Sequence, residues 1–358
     1  MPVARGATGW RLTRVEVAGL VTVALWWAWV LTSSVIHDRS VLWGSPYLVA
    51  PAAVLLGVVL GRLAGRVDRI GPAPDPDLRT QPLYWLLARG RWVDALAVAA
   101  AVLVLPGTPV HLAPVPAPLG YANANTAAAT QVMAFCGLLL LGTTGRVRRA
   151  VLAAAAVLAG VAGVWHGSWA GITVLAPVAL AVLVAVLARP RRTWWMTLPA
   201  VAALGSAVAG LLWLTTRRTW PEVATSSLSD VRRVLWQRAL ELWSTSPVGG
   251  GGPGAYVEVN PYASDPDLAA AHSSLLQVLS ELGLVGASLL GLLVVWGLAM
   301  AAAKPAPWAL VTLAAWTALW VHSLMDHLFD HPALGLLAGV LLGFGSRASI
   351  RTVPRPPG

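Results

Sequence analysis

Apolar runs of roughly 20 residues, enough for a helix to cross a bilayer, recur along this chain of 358 residues. Only 11% of the residues are charged and 57% are hydrophobic, whereas soluble domains average about 25% and 45–50%. These values exclude a soluble enzyme, a disulfide scaffold and a disordered chain. The sequence therefore predicts an all-α, polytopic integral membrane protein with spans at 15–36, 47–65, 93–105, 126–143, 150–164, 170–188, 194–214, 272–302, 307–321 and 333–344.

The charges indicate how these spans are oriented. With the N-terminus inside, most of the 25 Lys and Arg residues fall on the inner side and most of the 15 Asp and Glu residues fall outside. The net charge of +10 is therefore a topology signal, and no nucleic-acid partner is predicted. Seven spans occupy residues 1–214, an outer (periplasmic or extracellular) cap occupies 215–271, three spans occupy 272–346, and a basic cytoplasmic tail occupies 347–358.

The outer cap contains an amphipathic helix over 230–243, for which Asp230 is the expected N-cap. Arg232 lies in the first turn, where a cation gains nothing from the helix dipole. This position indicates an anionic partner, although a surface arginine near lipid head groups explains it equally. The glycine run 249–252 after the helix either presents N–H groups to a phosphate or serves as a hinge, and it lacks the ending of a P-loop.

His272 opens the eighth predicted span at the outer surface. The positive end of a helix dipole favours its neutral form, and a neutral imidazole is what a general base for a hydroxyl nucleophile requires. The alternative is a structural histidine at the interface. Glu281 lies nine residues further along the same helix, on about the opposite face from His272. It is therefore predicted to be a structural carboxylate with a partner of its own.

Two further outer segments carry polar side chains. Asn123 and Asn125 precede the fourth span and suit sugar hydroxyls or a lipid head group, or alternatively a helix cap. Residues 322–331 contain three histidines and two aspartates, among them His322 and Asp326. A metal site is conceivable there, but the spacing matches no known ligand motif. Neither a metal nor another cofactor is predicted.

These residues form a pattern that resembles the O-antigen ligase and O-antigen polymerase (Wzy_C-type) family of membrane glycosyltransferases over about residues 115–345. The motifs that carry the resemblance are Arg232-x-x-x-Trp236, the glycine-rich segment 247–254, His272 with Glu281, Gly283 and Gly286, Gly120 with Asn123 and Asn125, and His322-Ser-Leu-x-Asp326 followed by Pro332-Ala333.

The resemblance implies a GT-C-like fold in the bacterial inner membrane, with both termini cytoplasmic. It also implies inverting, metal-independent transfer of a glycan from a polyprenyl (undecaprenyl) diphosphate carrier to a hydroxyl of a glycan, lipid or protein on the outer face. Arg232 would bind the diphosphate, and His272 would be the base that activates the acceptor or the residue that orients it. The other expected substrate-binding residues are Arg217, Arg218, Arg233, Arg238, Asn123, Asn125, Gly250, Gly252, His322 and Asp326.

One departure from the family pattern concerns the anion site. The family often has Ser-Arg-Gly at an outer helix start, where this chain has Ser168-Trp169-Ala170. One of the other outer arginines would then have to replace the missing one.

Two other functions remain open at this level. A flippase or transporter for the same carrier is disfavoured because such proteins carry ionisable groups in mid-membrane, and the predicted spans hold almost none besides Glu281. A non-catalytic scaffold of an envelope polysaccharide complex is compatible with the departure at Trp169. The motifs do not separate a ligase from a polymerase, since neither the acceptor nor the sugar is written in them.

Overall fold

The computed structural model describes residues 12–41, 45–67, 124–142 and 194–345, and these residues are helical and contain no strand. The helices are α1 (Arg14–Ile36), α2 (Pro46–Val67), α3 (Ala124–Gly142), α4 (Trp194–Thr215), α5 (Glu222–Leu228), α6 (Asp230–Thr245), α7 (Tyr256–Val259), α8 (Ser274–Ala302), α9 (Ala306–Ser323) and α10 (Pro332–Gly343), with a 3-10 turn at Leu328–Asp330. The predicted all-α class is confirmed. The spans predicted at 93–105, 150–164 and 170–188 and the basic tail lie outside the described residues.

Four of the described helices are long and apolar enough to cross a membrane, and two shorter ones are also apolar. The long segments are Arg14–Ile36, Pro46–Ala64, Thr197–Thr215 and Ser274–Ala302, and the shorter ones are Asn125–Leu140 and Pro332–Gly343. They agree with the predicted multi-pass membrane protein.

Two predicted helix starts differ from the structure. The side chain of Ser273 accepts a hydrogen bond from Leu276 N (3.4 Å) and caps α8, so His272, with φ of +49°, precedes the helix instead of lying in its first turn. The dipole argument for a neutral His272 therefore does not apply in the predicted form. In the outer cap, Ser229 is the N-cap of α6 and Asp230 is its first helical residue.

Helices α2 and α10 cross at contact distance because glycines face each other. A Cβ at Gly57 would lie 2.2 Å from the carbonyl oxygen of Leu336, and one at Gly339 would lie 2.2 Å from that of Val54. Small residues at such crossings let two backbones approach closely in lipid. The crossing fixes α10, and with it the segment 324–331 that joins α9 to α10.

The outer cap is attached to a kink in α8. Gly283 has φ of +64° within the helix, which exposes two backbone carbonyls to partners outside it. Gly251 N donates to the carbonyl of Ser280 (2.9 Å), and Gly252 N donates to that of Glu281 (2.8 Å). The glycine-rich segment and the kink thus form one backbone junction.

The carboxylate of Glu281 strengthens the same junction. It is 1% exposed and accepts hydrogen bonds from the hydroxyl of Tyr47 (2.6 Å), from Gly254 N (2.7 Å) and from the amide of Gln277 (2.8 Å). These are the partners that a buried carboxylate requires. Glu281 therefore joins α2, the outer cap and α8, as expected of a structural residue.

Candidate active site

Asp326, in the segment between α9 and the 3-10 turn, is the centre of a buried polar cluster. It is 1% exposed. Its Oδ1 lies 3.1 Å from Nδ1 of His272 and 2.8 Å from Nδ1 of His327, and it also accepts the backbone N–H of His327 (2.8 Å). The amide of Asn125 donates to Oδ2. Groups from α3, the start of α8 and the α9–α10 segment thus meet at one carboxylate.

These contacts decide the charges in the cluster. Burial opposes ionisation of Asp326, but the contacts with His272 and His327 outweigh it and hold the pKa of Asp326 well below its usual value. Burial also opposes protonation of His327, yet the contact with Asp326 and the charge of Asp326 raise the pKa of His327 above its usual value. Asp326 is therefore an anion beside His327, which it stabilises as a cation.

Both ring nitrogens of His272 face oxygen atoms. Nδ1 faces Asp326, and Nε2 lies 2.7 Å from the backbone carbonyl of Asp267. Trp236 of α6 donates its indole N–H to the carbonyl of His272 (3.4 Å), and the ring of His327 packs edge-on at 4.7 Å between centroids. The imidazole is thus held from several sides.

Arg232 lies one turn before Trp236 on α6 and faces the same cluster. It donates to the carbonyl of Leu228 (3.1 Å), while its buried Nε has no hydrogen-bond partner among the described residues. Burial lowers the pKa of the Arg232 guanidinium, and the charge of Asp326 opposes that shift. The charge of Arg232 also acts on His327. Arg232 therefore lies within electrostatic range of Asp326, the carboxylate that contacts His272.

His322 belongs to the same region. It lies in the last turn of α9 and is 1% exposed. Within the part of the chain that the structure describes, its Nε2 has no hydrogen-bond partner, and the charges of Asp326 and Arg232 act on it. A buried nitrogen of this kind is able to contact a bound ligand.

The other predicted arginines make different contacts within the described residues. The guanidinium of Arg217 lies 4.8 Å above the ring of Trp213, and Arg233 donates to the carbonyl of Arg218 (2.7 Å). On the exposed face of α6, Arg238 pairs with Glu241 (2.7 Å). These contacts lie along the outer edge of the cap and involve neither Asp326 nor His272.

The glycine-rich segment uses its N–H groups within the protein. Gly250 N donates to the carbonyl of Ser246 (2.8 Å), and Gly252 N donates to that of Glu281. The predicted contact of Gly250 and Gly252 with a phosphate would have to break these hydrogen bonds. The segment acts as a backbone junction. Neither of the two interpretations from the sequence, a phosphate-binding segment or a hinge, predicted this role.

Three other positions named from the sequence, and one further residue of the cluster, remain to be located in the structure. Asn125, expected to bind sugar or a head group, supports Asp326, whereas Asn123 and Trp169 lie outside the described residues. Sequence reasoning considered His327 only as part of a conceivable metal site with His322 and Asp326, not as a substrate-binding residue. The available signal was its position directly after Asp326 in a segment rich in His and Asp.

Three of these side chains have the spacing of a cation site. The ligand atoms of His272, Asp326 and His327 lie within 4.8 Å of one another. Both imidazoles, however, face the same carboxylate oxygen, and an ion pair with hydrogen bonds accounts for that arrangement. The donor set therefore does not require a metal.

An apolar groove of about 400 Å³ runs between α4, α8 and α9. It falls within the range of about 300–1,000 Å³ that is common for ligand pockets. Gly205 of α4 and Gly291 of α8 line it, and a Cβ on either would meet open space among the described residues. Leu275 and Leu324, which also line it, are close neighbours of His272 and Asp326 in sequence. One end of the groove is therefore lined by residues that adjoin the polar cluster in sequence.

Comparison with known proteins supplies the family. Residues 132–291 match the family model of the O-antigen ligases (Wzy_C), a segment that includes Arg232 and His272. Comparison with curated proteins finds no match. The match supports the family predicted from the motifs, and residues 132–291 are similar to an O-antigen ligase domain.

Proposed function

We propose that this protein transfers a glycan from a polyprenyl diphosphate carrier to an acceptor hydroxyl at the outer face of the bacterial inner membrane. The family match supports glycan transfer of the O-antigen ligase or polymerase kind. The observation that carries the finer proposal is that the partly buried cation Arg232 lies within electrostatic range of Asp326, which contacts His272, while close sequence neighbours of both His272 and Asp326 line an apolar groove.

Arg232 is the proposed binding residue for the diphosphate. Departure of a polyprenyl diphosphate leaves negative charge on phosphate oxygens, and a fixed cation beside them lowers the barrier. Its guanidinium is buried and has an N–H that no described residue accepts, so it is able to add a hydrogen bond to its charge. His322, whose buried Nε2 is likewise unused by the described residues, is the second proposed contact.

His272 is the proposed base. The acceptor hydroxyl loses its proton to Nε2 while its oxygen bonds to the anomeric carbon, and the bond from that carbon to the diphosphate oxygen breaks. The proton ends on the imidazole and the electron pair on the diphosphate. A single displacement inverts the anomeric centre, with protein residues and no metal supplying the charges. Asp326 accepts from Nδ1, so it orients the ring and stabilises the imidazolium that forms.

The apolar groove supports a carrier with an isoprenoid tail. Its lining consists almost entirely of apolar side chains and glycines from membrane-spanning helices, which suits a hydrocarbon chain and excludes a polar one. A carrier bound there would place its diphosphate at the outer end, near Arg232.

The test uses purified protein in proteoliposomes with an undecaprenyl-diphosphate oligosaccharide and candidate glycan, lipid and protein acceptors. We expect wild type to release undecaprenyl diphosphate and glycosylate an acceptor in the presence of a chelator. His272→Ala and Arg232→Ala should lose this activity, whereas Arg238→Ala, which alters an exposed ion pair on the same helix, should retain it. Retention of transfer by His272→Ala, or its loss in chelator, would refute the mechanism. Movement of the labelled lipid across the bilayer without transfer would instead identify a transporter.

A further inference from the structure

The segment 260–271, which ends directly before His272, covers the nitrogen that a base would use. Nε2 of His272 lies 2.7 Å from the carbonyl oxygen of Asp267, and Nδ1 lies 3.1 Å from the carboxylate of Asp326. Both of these oxygen groups only accept hydrogen bonds. In this arrangement Nε2 donates to the carbonyl of Asp267 and therefore offers no free lone pair.

The side chain of Asn260 holds the segment in place. Asn260 is 6% exposed, and its amide donates to the carbonyls of Leu268 (2.8 Å) and Ala269 (3.1 Å). Its Oδ1 accepts from Tyr262 N (2.9 Å). One buried amide thus ties the beginning of the segment to its end, immediately after the carbonyl that faces His272.

We propose that the segment 260–271 is a latch that occupies Nε2 of His272, and that Asn260 is the positioning residue that holds it closed. The base step needs a lone pair on Nε2, so the latch opens before the acceptor is activated. The catalytic consequence rests on the proposed function, whereas the closed latch rests only on the contacts of His272 and Asn260.

The charge of His272 is coupled to the latch. If the ring loses a proton and keeps Nδ1–H on Asp326, the Nε2 lone pair points at the carbonyl oxygen of Asp267, and the two repel. The neutral ring therefore favours the open latch. Two negative charges favour the closed form of the latch. Asp326 contacts the ring of His272 directly, and Asp330 acts on it through its charge. His327 and Arg232 carry positive charge into the same cluster and favour the open one.

Diethyl pyrocarbonate tests the latch because it reacts with the lone pair of a neutral imidazole. Full-length protein in nanodiscs, without any glycan, is treated briefly near neutral pH, and peptide mass spectrometry follows each histidine. His37 is only partly buried and serves as the internal reference. We expect His272 to react about tenfold more slowly than His37, the reduction produced by a latch that is open about a tenth of the time.

Two variants separate the latch from general burial. Asn260→Ala should raise the reaction rate of His272 several-fold without changing that of buried His322. The control Ser264→Ala, at an exposed position of the same segment, should leave both rates unchanged. Equal rates at His272 and His37 in wild type would overturn the proposal, and so would an unchanged His272 rate in Asn260→Ala. If Asn260→Ala fails to fold, equal rates at His272 and His37 in wild type still overturn the proposal. Because no glycan is present, failure of the latch and failure of the proposed transfer are distinguishable.

Discussion

At the scale of single residues, the site depends on a carboxylate to which the proposed mechanism assigns no contact with the substrate. Asp326 receives hydrogen bonds from the His272 ring, the His327 backbone and the Asn125 amide. A carboxylate with so many donors stays ionised. Its proposed work is to set which nitrogen of His272 carries a proton, so its replacement should affect the reaction more than the fold.

Asp326→Asn is the direct test of that role. An amide oxygen is a weaker acceptor than a carboxylate and does not stabilise an imidazolium, so we expect glycan transfer to fall about 10²-fold or more. Initial rates in proteoliposomes measure it. Glu241→Gln, which neutralises an exposed carboxylate on α6, should keep wild-type activity. An Asp326→Asn enzyme that is as active as wild type would remove Asp326 from the mechanism.

Asp330 predicts a pH dependence of stability. Burial raises the pKa of Asp330 to about 6, with Asp326 adding to the shift and His327 opposing it. Because the folded-state pKa is raised, the contribution of this group to stability is complete below about pH 4 and is lost as pH rises to about 6. Asp330→Asn should therefore raise the melting temperature at about pH 7 but not at about pH 4.

Thermal unfolding followed by the fluorescence of the 19 Trp residues measures the effect of Asp330→Asn. The matched control is Asp265→Asn, which alters an exposed carboxylate of the outer cap and should give no gain at either pH. An equal gain for Asp330→Asn at both pH values would show that the charge of Asp330 is not the cause.

At the scale of elements, the kink of α8 joins the outer cap to the membrane helices. Gly283 adopts φ of +64°, and a Cβ there would lie 2.2 Å from the carbonyl oxygen of Val248. Gly250, with φ of +75°, has the reciprocal contact, 2.4 Å from the backbone carbon of Glu281. The two glycines are required because two backbones cross at this point. The sequence showed both glycines, but it did not show that their backbones approach each other closely.

Gly283→Ala should weaken this junction. Left-handed backbone in a non-glycine residue costs about 1–3 kcal/mol, and the clash with Val248 adds to it, so we expect a lower melting temperature and reduced transfer. In the same helix, Gly291→Ala meets open space among the described residues and should be neutral, or more stable by up to about 1 kcal/mol. Thermal unfolding of both variants gives the comparison. Equal stability would mean that the kink is not needed.

At the scale of the whole molecule, the apolar groove is lined in part by close sequence neighbours of the polar cluster. The outer cap supplies Arg232 and the latch, α8 and α9 supply both the groove and the residues next to it, and α3 supplies Asn125. A membrane glycan transferase has to bring a hydrocarbon carrier and a water-soluble acceptor to one point. This arrangement provides an apolar approach from the lipid and a polar approach from outside.

Gly291→Leu tests whether the groove holds the carrier. The larger side chain fills open space without a clash with the described backbone, so the protein should fold while the groove loses volume. Transfer from an undecaprenyl carrier should fall at least several-fold in kcat/KM, whereas transfer from a carrier with a short isoprenoid tail should persist. Leu292, the next residue of the same helix, is exposed and does not line the groove, so Leu292→Ala is the control variant and should leave transfer unchanged. An equal loss with both carriers would mean that Gly291→Leu harmed the site itself.

The sequence by itself determined the class of protein and the identity of the main residues. An apolar run long enough to span a bilayer has few alternatives to a membrane helix, because its backbone N–H and C=O groups must form hydrogen bonds within the helix. The described spans therefore begin and end close to where they were expected. Arg232 and His272 were identified by motif, and Glu281 by the rule that a carboxylate at that depth needs partners.

Only the tertiary structure decided which groups meet. Forty residues separate Arg232 from His272, and 54 separate His272 from Asp326, so neither pairing has a local signal. The same holds for the latch, where one hydrogen bond to the carbonyl of Asp267 decides whether His272 has a free lone pair. Local patterns determine helices because their hydrogen bonds are local, whereas the chemistry of this site depends on contacts between segments that only folding brings together.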